Sequence, residues 1–138
     1  MKLKNKVKLS YFDARASFEG LTDLINTEMP YKTSYWVKRN ISWLEKEVVK
    51  LDQKRVDLLR LHAKRDKKGN PLIENNNYVL ADEGHKAMVV DWEKFGNQEV
   101  MIDKLMCFDP GDFDGVKITP NTLEKLKKIV SDPYVEKS

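Results

Sequence analysis

The chain has 138 residues, of which 41% are hydrophobic and 34% are charged, and its formal net charge is +3. This composition is typical of a soluble globular protein and argues against wholesale disorder. No apolar run reaches the roughly 18 residues of a membrane span. The basic start lacks the apolar segment of a secretory signal, and the single cysteine, Cys107, excludes an internal disulfide.

The first half of the chain predicts a short strand and two helices. Apolar and lysine residues alternate over residues 3–9, which is the pattern of a half-exposed strand. Ser10 followed by Asp13 resembles a helix cap, so we expect a first helix over about 11–27. Pro30 opens a second helix over 31–66, and Gly69 and Pro71 follow its end.

The second helix carries an apolar stripe that repeats every seven residues, as in a helical hairpin or coiled coil. Arg55 is the one strong break in it. The stripe consists of Val37, Ile41, Leu44, Val48, Leu51, Arg55, Leu58 and His62. At 1.5 Å per residue this helix is roughly 50 Å long. A globule of this size has a radius of gyration of about 14 Å. We therefore expect part of the helix to project or to pack against another copy.

The second half predicts smaller elements. Residues 72–74 and 78–80 read as a hairpin with a three-residue turn at 75–77, and Asp82 precedes a helix over about 83–95. Residues 100–108 alternate as a strand that Lys104 interrupts. Thr119 and Pro120 start a last helix that carries Ile129 and Val130 on its apolar face. The fold class is therefore α+β, a long helical hairpin with a small antiparallel sheet and two shorter helices. We expect one domain over 1–132 and a polar tail at 133–138.

Catalytic chemistry is sparsely represented. His62 closes the apolar stripe and His85 lies among acids, so each is expected to be a packing or surface residue, and Cys107 lies in an apolar strand. Asp112, Asp114 and Gly115 match three positions of a calcium loop, but Pro110 and Asn121 then occupy two essential ligand positions. A turn whose aspartates bind their own backbone is favoured. We predict no catalytic residue, no metal and no cofactor.

Aromatic residues on the second helix are the more informative feature. Trp36, Asn40 and Trp43 form a stripe offset by one position from the apolar one, and Tyr35 also lies beside the apolar stripe. Either neighbouring helices cover this flank, or it is an aromatic hot spot for a protein partner. These four residues are the candidate protein interface.

Charge is spread unevenly. Residues 32–68 hold 12 Lys/Arg against 5 acids, a net +7, and residues 69–118 hold 4 Lys against 10 acids, a net −6. Lys50, Lys54 and Arg55 are the candidate basic surface, but acids are interleaved among them and no nucleic-acid module pattern is present. We expect a solvated face opposed by the acidic half, with no membrane partner and nucleic acid a weaker alternative.

The order of local signals resembles a family of short tailed-bacteriophage proteins, a domain of unknown function (number sixteen-seventeen). The carrying segments are residues 29–33 before the long helix, residues 67–71 after it, and residues 112–120 before the last helix. The resemblance covers roughly residues 5–132. Trp36, Trp43 and Trp92 make this chain more aromatic than the family pattern.

The resemblance implies a phage origin and gives no activity or functional residue to transfer. We therefore expect a non-enzymatic phage protein that contacts other phage proteins or copies of itself, as a tail or neck virion component or an assembly component. An inhibitor of a host factor or defence system and an accessory nucleic-acid-binding protein are the alternatives. The expected location is the host cytoplasm during infection, with possible incorporation into the virion.

Overall fold

The computed structural model describes residues 1–132 and Tyr134, so the predicted tail lies almost wholly outside the described residues. The α+β class is confirmed as a long helix pair with two-stranded antiparallel sheets and shorter helices. The elements in chain order are β1 (Lys2–Ser10), α1 (Tyr11–Asp23), α2 (Tyr31–His62), β2 (Ile73–Glu74), β3 (Asn77–Tyr78), α3 (Asp82–Gly96), β4 (Glu99–Cys107), a 3-10 turn (Pro110–Phe113) and α4 (Pro120–Lys125).

The chain forms two compact units. Unit 1 contains residues 1–48 and the described residues from 99 onward, and unit 2 contains residues 49–98. Helix α2 gives its first 18 residues to unit 1 and its last 14 to unit 2. Each unit therefore contains part of this helix, and the expectation that part of it projects or packs against another copy stays a prediction. The prediction of one domain stays a prediction.

Unit 1 is built on an antiparallel β1–β4 ribbon that pairs Lys2 with Cys107 at one end and Ser10 with Glu99 at the other. The ladder is interrupted at Lys6, which has a φ of 56°. The helices and the ribbon enclose one apolar core. Its members are Leu9, Ala14, Leu21, Leu24, Val37, Leu44, Ile102, Leu105, Met106, Phe108, Phe113, Leu126 and Ile129.

Helix α1 starts as predicted, because the Ser10 hydroxyl accepts a hydrogen bond from the Asp13 amide at 3.0 Å. It ends at Asp23, and the prediction of a helix to residue 27 is wrong. The amides of Leu24, Ile25 and Thr27 bond to carbonyls three residues back, which makes successive tight turns. Ile25 is 59% exposed, so burial does not extend the helix to include it.

Helix α2 ends at His62, four residues earlier than predicted. The Lys64 amide donates to the Val79 carbonyl at 2.7 Å instead of to a carbonyl of its own helix. This tertiary hydrogen bond replaces the next helical one, so residues beyond it leave the helix.

Unit 2 contains the C-terminal part of α2, the β2–β3 hairpin and α3. The hairpin turn has two residues, Asn75 and Asn76, with φ of 50° and 64°, and the predicted three-residue turn is wrong. Positive φ at both central residues is what a tight hairpin turn requires. Helix α3 begins at Asp82 itself, because Ala81 occupies the cap position.

The last helix, α4, has the predicted cap, with the Thr122 amide donating to the Thr119 hydroxyl at 3.2 Å. It ends at Lys125, and its predicted extension over Ile129 and Val130 is wrong. The Phe108 amide donates to the Ile129 carbonyl at 2.7 Å, and the Ser131 amide donates to the Phe108 carbonyl at 3.0 Å. Pairing with the end of β4 therefore takes this segment out of the helix.

Candidate functional site

A buried polar seam orients α2 within unit 1. Thr33, Asn40 and Glu47 lie seven residues apart and are 2%, 0% and 8% exposed, while Val37 and Leu44 alternate with them. Seven residues make two helical turns, so these five residues form one stripe. The predicted second row of the stripe, Ile41 to His62, is half-buried or exposed.

The seam binds backbone groups of the segment that follows Glu99. The Asn40 amide donates to the Met106 carbonyl at 2.8 Å, and the Met106 amide donates to the Asn40 side-chain oxygen at 2.8 Å. The Thr33 hydroxyl donates to the Asp112 carbonyl at 2.7 Å. A strand at a sheet edge carries backbone N–H and C=O groups that no neighbouring strand bonds. At Met106 the side chain of Asn40 makes these hydrogen bonds instead.

This placement corrects one candidate interface residue. Asn40 was predicted to lie on the aromatic stripe, but it is fully buried and both polar atoms of its amide are used by Met106. Asn40 therefore positions α2 and offers nothing to a partner.

The other candidates form an aromatic surface on the first turns of α2, which we define as Tyr31, Tyr35, Trp36, Arg39 and Trp43. The Tyr35 and Trp36 rings meet edge to face with centroids 5.0 Å apart, and the Trp36 and Trp43 centroids are 6.2 Å apart. The Arg39 Nε donates to the Tyr35 hydroxyl at 3.2 Å. Its guanidinium carbon lies 5.5 Å from the Tyr35 ring centroid. The ring of Tyr35 is thus held between Trp36 and Arg39.

The exposure of the aromatic surface rises toward the start of the helix. Trp36 is half-buried against the core of unit 1, Tyr35 is 41% exposed and Tyr31 is 86% exposed. Beyond Trp43 the helix borders a cavity of about 300 Å³, which is also lined by Lys46, Glu47 and residues 101–104. The aromatic surface therefore has a covered base, an exposed rim and an adjoining recess.

The candidate basic residues do not form one free patch. Lys50, Lys54 and Arg55 lie on the part of α2 in unit 2, where Lys50 and Arg55 are exposed and Lys54 is half-buried. The Lys54 ammonium lies 5.3 Å from the centroid of the Phe95 ring, which is a cation–π contact inside the unit. Lys54 therefore makes an intramolecular contact with Phe95.

The two histidines and the cysteine are of residue types that often act in catalysis, and their surroundings are as follows. His62 Nε2 lies 2.7 Å from a carboxylate oxygen of Asp91, which ties the end of α2 to α3. His85 is exposed. Burial raises the pKa of the Cys107 thiol although Lys4 and Lys2 oppose it, which disfavours the reactive thiolate.

The predicted aspartate turn is confirmed as a turn that binds its own backbone. The Asp109 amide donates to the Asp112 carboxylate at 2.8 Å, and the Asp112 amide donates back to the Asp109 carbonyl at 2.9 Å. Both carboxylates also lie 3.1 Å from the Met1 amine. They hold the pKa of that amine above its ordinary value, with Asp112 the larger cause. No local pattern indicates this ion pair, because 108 residues separate Met1 from Asp109.

A second recess lies in unit 1, where residues 110–134 of the described chain fold around about 640 Å³. It is lined mainly by apolar side chains, including Phe113, Ile118, Leu126 and Val130. Across the described residues no group of three or more His, Cys, Asp or Glu side chains is arranged to hold a metal ion. Within the same part of the chain, no helix combines the length and the apolar character needed to cross a membrane.

No family model, curated protein or solved structure matches this chain. The resemblance to a phage family therefore stays a prediction.

Proposed function

We propose that this is a non-enzymatic protein that works through protein–protein contacts made by the aromatic surface of α2. The observation that carries the proposal is the arrangement of Tyr35 and Arg39 beside two tryptophans, next to the exposed ring of Tyr31. Tyrosine, tryptophan and arginine dominate the binding energy of protein interfaces. Tyrosine and tryptophan offer large contact areas at little cost in conformational entropy, and arginine offers several hydrogen-bond donors in a planar group.

We further propose, from the resemblance, that the protein is a bacteriophage product and serves as a virion or assembly component. Repeated assemblies bury such surfaces between copies or between neighbouring proteins. The partner would be another phage protein or a second copy of the chain. The partly exposed rings and the adjoining recess at Trp43 support a contact in which the partner packs on the rings and inserts a side chain into the recess.

The contact is tested with the double variant Tyr31→Ala/Tyr35→Ala. Both rings are more than 40% exposed, so their removal leaves the core intact. We expect at least about tenfold weaker self-association or partner binding, which is the loss of a single modest hot spot. Sedimentation velocity over a concentration series measures self-association. Quantitative co-purification from infected cells measures binding to phage proteins.

The matched control is Val49→Ala/Leu61→Ala, which removes two side chains of the same helix that are 59% and 61% exposed in unit 2. We expect this variant to bind like the parent chain. Equal binding by both double variants would show that the aromatic surface is not the contact.

Virion membership is tested separately by mass spectrometry of purified phage particles. Detection at a fixed stoichiometry with known structural proteins is the expected result. Absence from particles, together with specific recovery of a host protein through Tyr31 and Tyr35, would replace the virion role with that of a host-factor inhibitor.

A further inference from the structure

The first half of β1 is exposed on both of its faces. All five residues from Lys2 to Lys6 are exposed, and so are Asp103 and Lys104 on the paired strand. Successive side chains of a strand point to opposite faces, so this stretch of β1 presents exposed side chains on both faces. The paired residues Leu105 and Met106 of β4 are buried in the core of unit 1. Among the described strands, β1 pairs only with β4, so its outer edge has no strand partner.

The exposed ribbon is basic. It carries five lysines, at 2, 4, 6, 8 and 104, against two acids, Glu99 and Asp103, a net charge of +3. In the part of the chain that the structure describes, none of the five lysines makes an ion pair or a side-chain hydrogen bond. The carboxylates of Asp109 and Asp112, which follow β4, are ion-paired with the Met1 amine.

Lys6 has an unusual backbone conformation. Its φ of 56° lies in the left-handed region, where an L side chain is sterically strained and glycine is not. It also interrupts the ladder between the pairs Asn5–Lys104 and Val7–Ile102. Strained positions of this kind concentrate at functional sites, because local stability alone would favour another residue there.

We propose that the β1–β4 ribbon binds the phosphate backbone of a double-stranded nucleic acid. Lysines act as point charges toward phosphates, and β1 presents four exposed lysines along one strand that a phosphate backbone can approach. The contact is made from the β1 side, because β4 is held against α2 through Asn40 and Met106. Neither strand contains an aromatic residue, so the ribbon has no stacking platform for unpaired bases. The interruption at Lys6 breaks the straight row of backbone groups that an added strand from an acidic protein would need.

The inference does not rest on the proposed protein contact, because the lysines tested lie on β1 and the aromatic side chains lie on α2. The two sites adjoin at residues 101–104 of β4, which line the recess beside Trp43. The probe is a fluorescein-labelled duplex DNA, and fluorescence polarisation of the full chain is measured from 50 to 200 mM NaCl. With three to four phosphate contacts, affinity should fall roughly forty- to 150-fold across this range. No binding at 50 mM NaCl would overturn the proposal.

The test variant is Lys4→Gln/Lys6→Gln/Lys8→Gln. It should lower the salt-dependence exponent by about two to three, since each lost phosphate contact lowers it by about 0.9. The control, Lys86→Gln/Lys94→Gln/Lys117→Gln, removes the same charge from exposed lysines outside the ribbon. Circular dichroism checks the fold of both variants. An equal loss of DNA affinity in both variants would show that binding depends only on the net charge of the protein, and it would overturn the assignment to the ribbon.

Two further measurements sharpen the result. Lys6→Gly removes a charge and the backbone strain together, so its melting temperature should rise while its salt exponent falls by about one. Unchanged DNA binding by Lys6→Gly would remove Lys6 from the site and contradict the argument from strain. Polyglutamate of matched total charge should bind more weakly than duplex DNA, and equally tight binding would identify an acidic protein as the partner instead.

Discussion

Asn40 places a primary amide in the interior of unit 1, where its two hydrogen bonds leave no unpaired polar atom on either partner. Both bonds are 2.8 Å long and both are made with the backbone of Met106. A buried amide is costly unless it is paired, so this single residue fixes both the rotation of α2 and the position of β4.

We expect Asn40→Ala to lower the free energy of unfolding by about 2–5 kcal/mol, because it leaves the buried amide and the buried carbonyl of Met106 without hydrogen-bond partners. Urea denaturation measures the change. Asn97→Ala, at an exposed position, is the control and should stay within about 0.5 kcal/mol of the parent chain. Similar losses in the two variants would contradict the role assigned to Asn40.

Asp23 gives the fold a dependence on acid pH. The Lys125 ammonium, 2.9 Å away, and the Thr122 hydroxyl, 3.1 Å away, hold the pKa of the Asp23 carboxyl below its ordinary value of 3.8. A lowered folded pKa contributes stability that is fully present above 3.8 and is lost as the pH falls through the folded value.

We therefore expect Asp23→Asn to be less stable than the parent chain by up to about 1 kcal/mol at neutral pH, since the pair is partly exposed. The difference should shrink as the pH falls below 3.8. Urea denaturation at several pH values measures it. Asp52→Asn, at an exposed position on α2, should show no such trend, and a constant deficit of Asp23→Asn at all pH values would exclude the ion pair as its cause.

At the scale of elements, α1 and α4 approach each other closely at Gly20. A Cβ atom at Gly20 would lie 2.8 Å from Leu126 Cδ2, 2.9 Å from Leu126 Cγ and 3.0 Å from Lys125 Cβ. Leu126 is fully buried and has no room to move away. The glycine is therefore required by helix packing although it weakens α1 as a helix.

We expect Gly20→Ala to destabilise the protein by about 1–2 kcal/mol, because the overpacking cost exceeds the gain in helix propensity. Thermal unfolding followed by circular dichroism measures the shift. Gly111→Ala is the matched control, since a Cβ there meets no atom within 4 Å. A rise in melting temperature for Gly20→Ala would mean that the α1–α4 contact is looser than described.

At the scale of the whole molecule, the two compact units share one helix, and their surfaces differ in chemistry. Unit 1 carries both the aromatic surface and the basic ribbon, whereas unit 2 holds the His62–Asp91 pair and the Lys54–Phe95 contact. The double variant Tyr31→Ala/Tyr35→Ala tests the first surface, and the salt titration tests the second. Either proposal can therefore fail while the other stands.

Local sequence patterns determined the type and order of the main elements. The alternation of residues 3–9, the seven-residue stripe from Val37 to Leu58 and the caps at Ser10 and Thr119 all act between near neighbours, so they can be recognised without a structure. The aromatic stripe was visible for the same reason, because Trp36 and Trp43 are two helical turns apart.

Only the tertiary structure decided which polar residues are buried and where the helices end. Thr33, Asn40 and Glu47 are residues that hydropathy assigns to the surface, and Asn40 is satisfied by Met106, 66 residues away in sequence. The ends of α2 and α4 are likewise set by hydrogen bonds to Val79 and Phe108. Such partners are brought together by the fold, so a pattern read along the chain identifies the helices but not the groups that orient and terminate them.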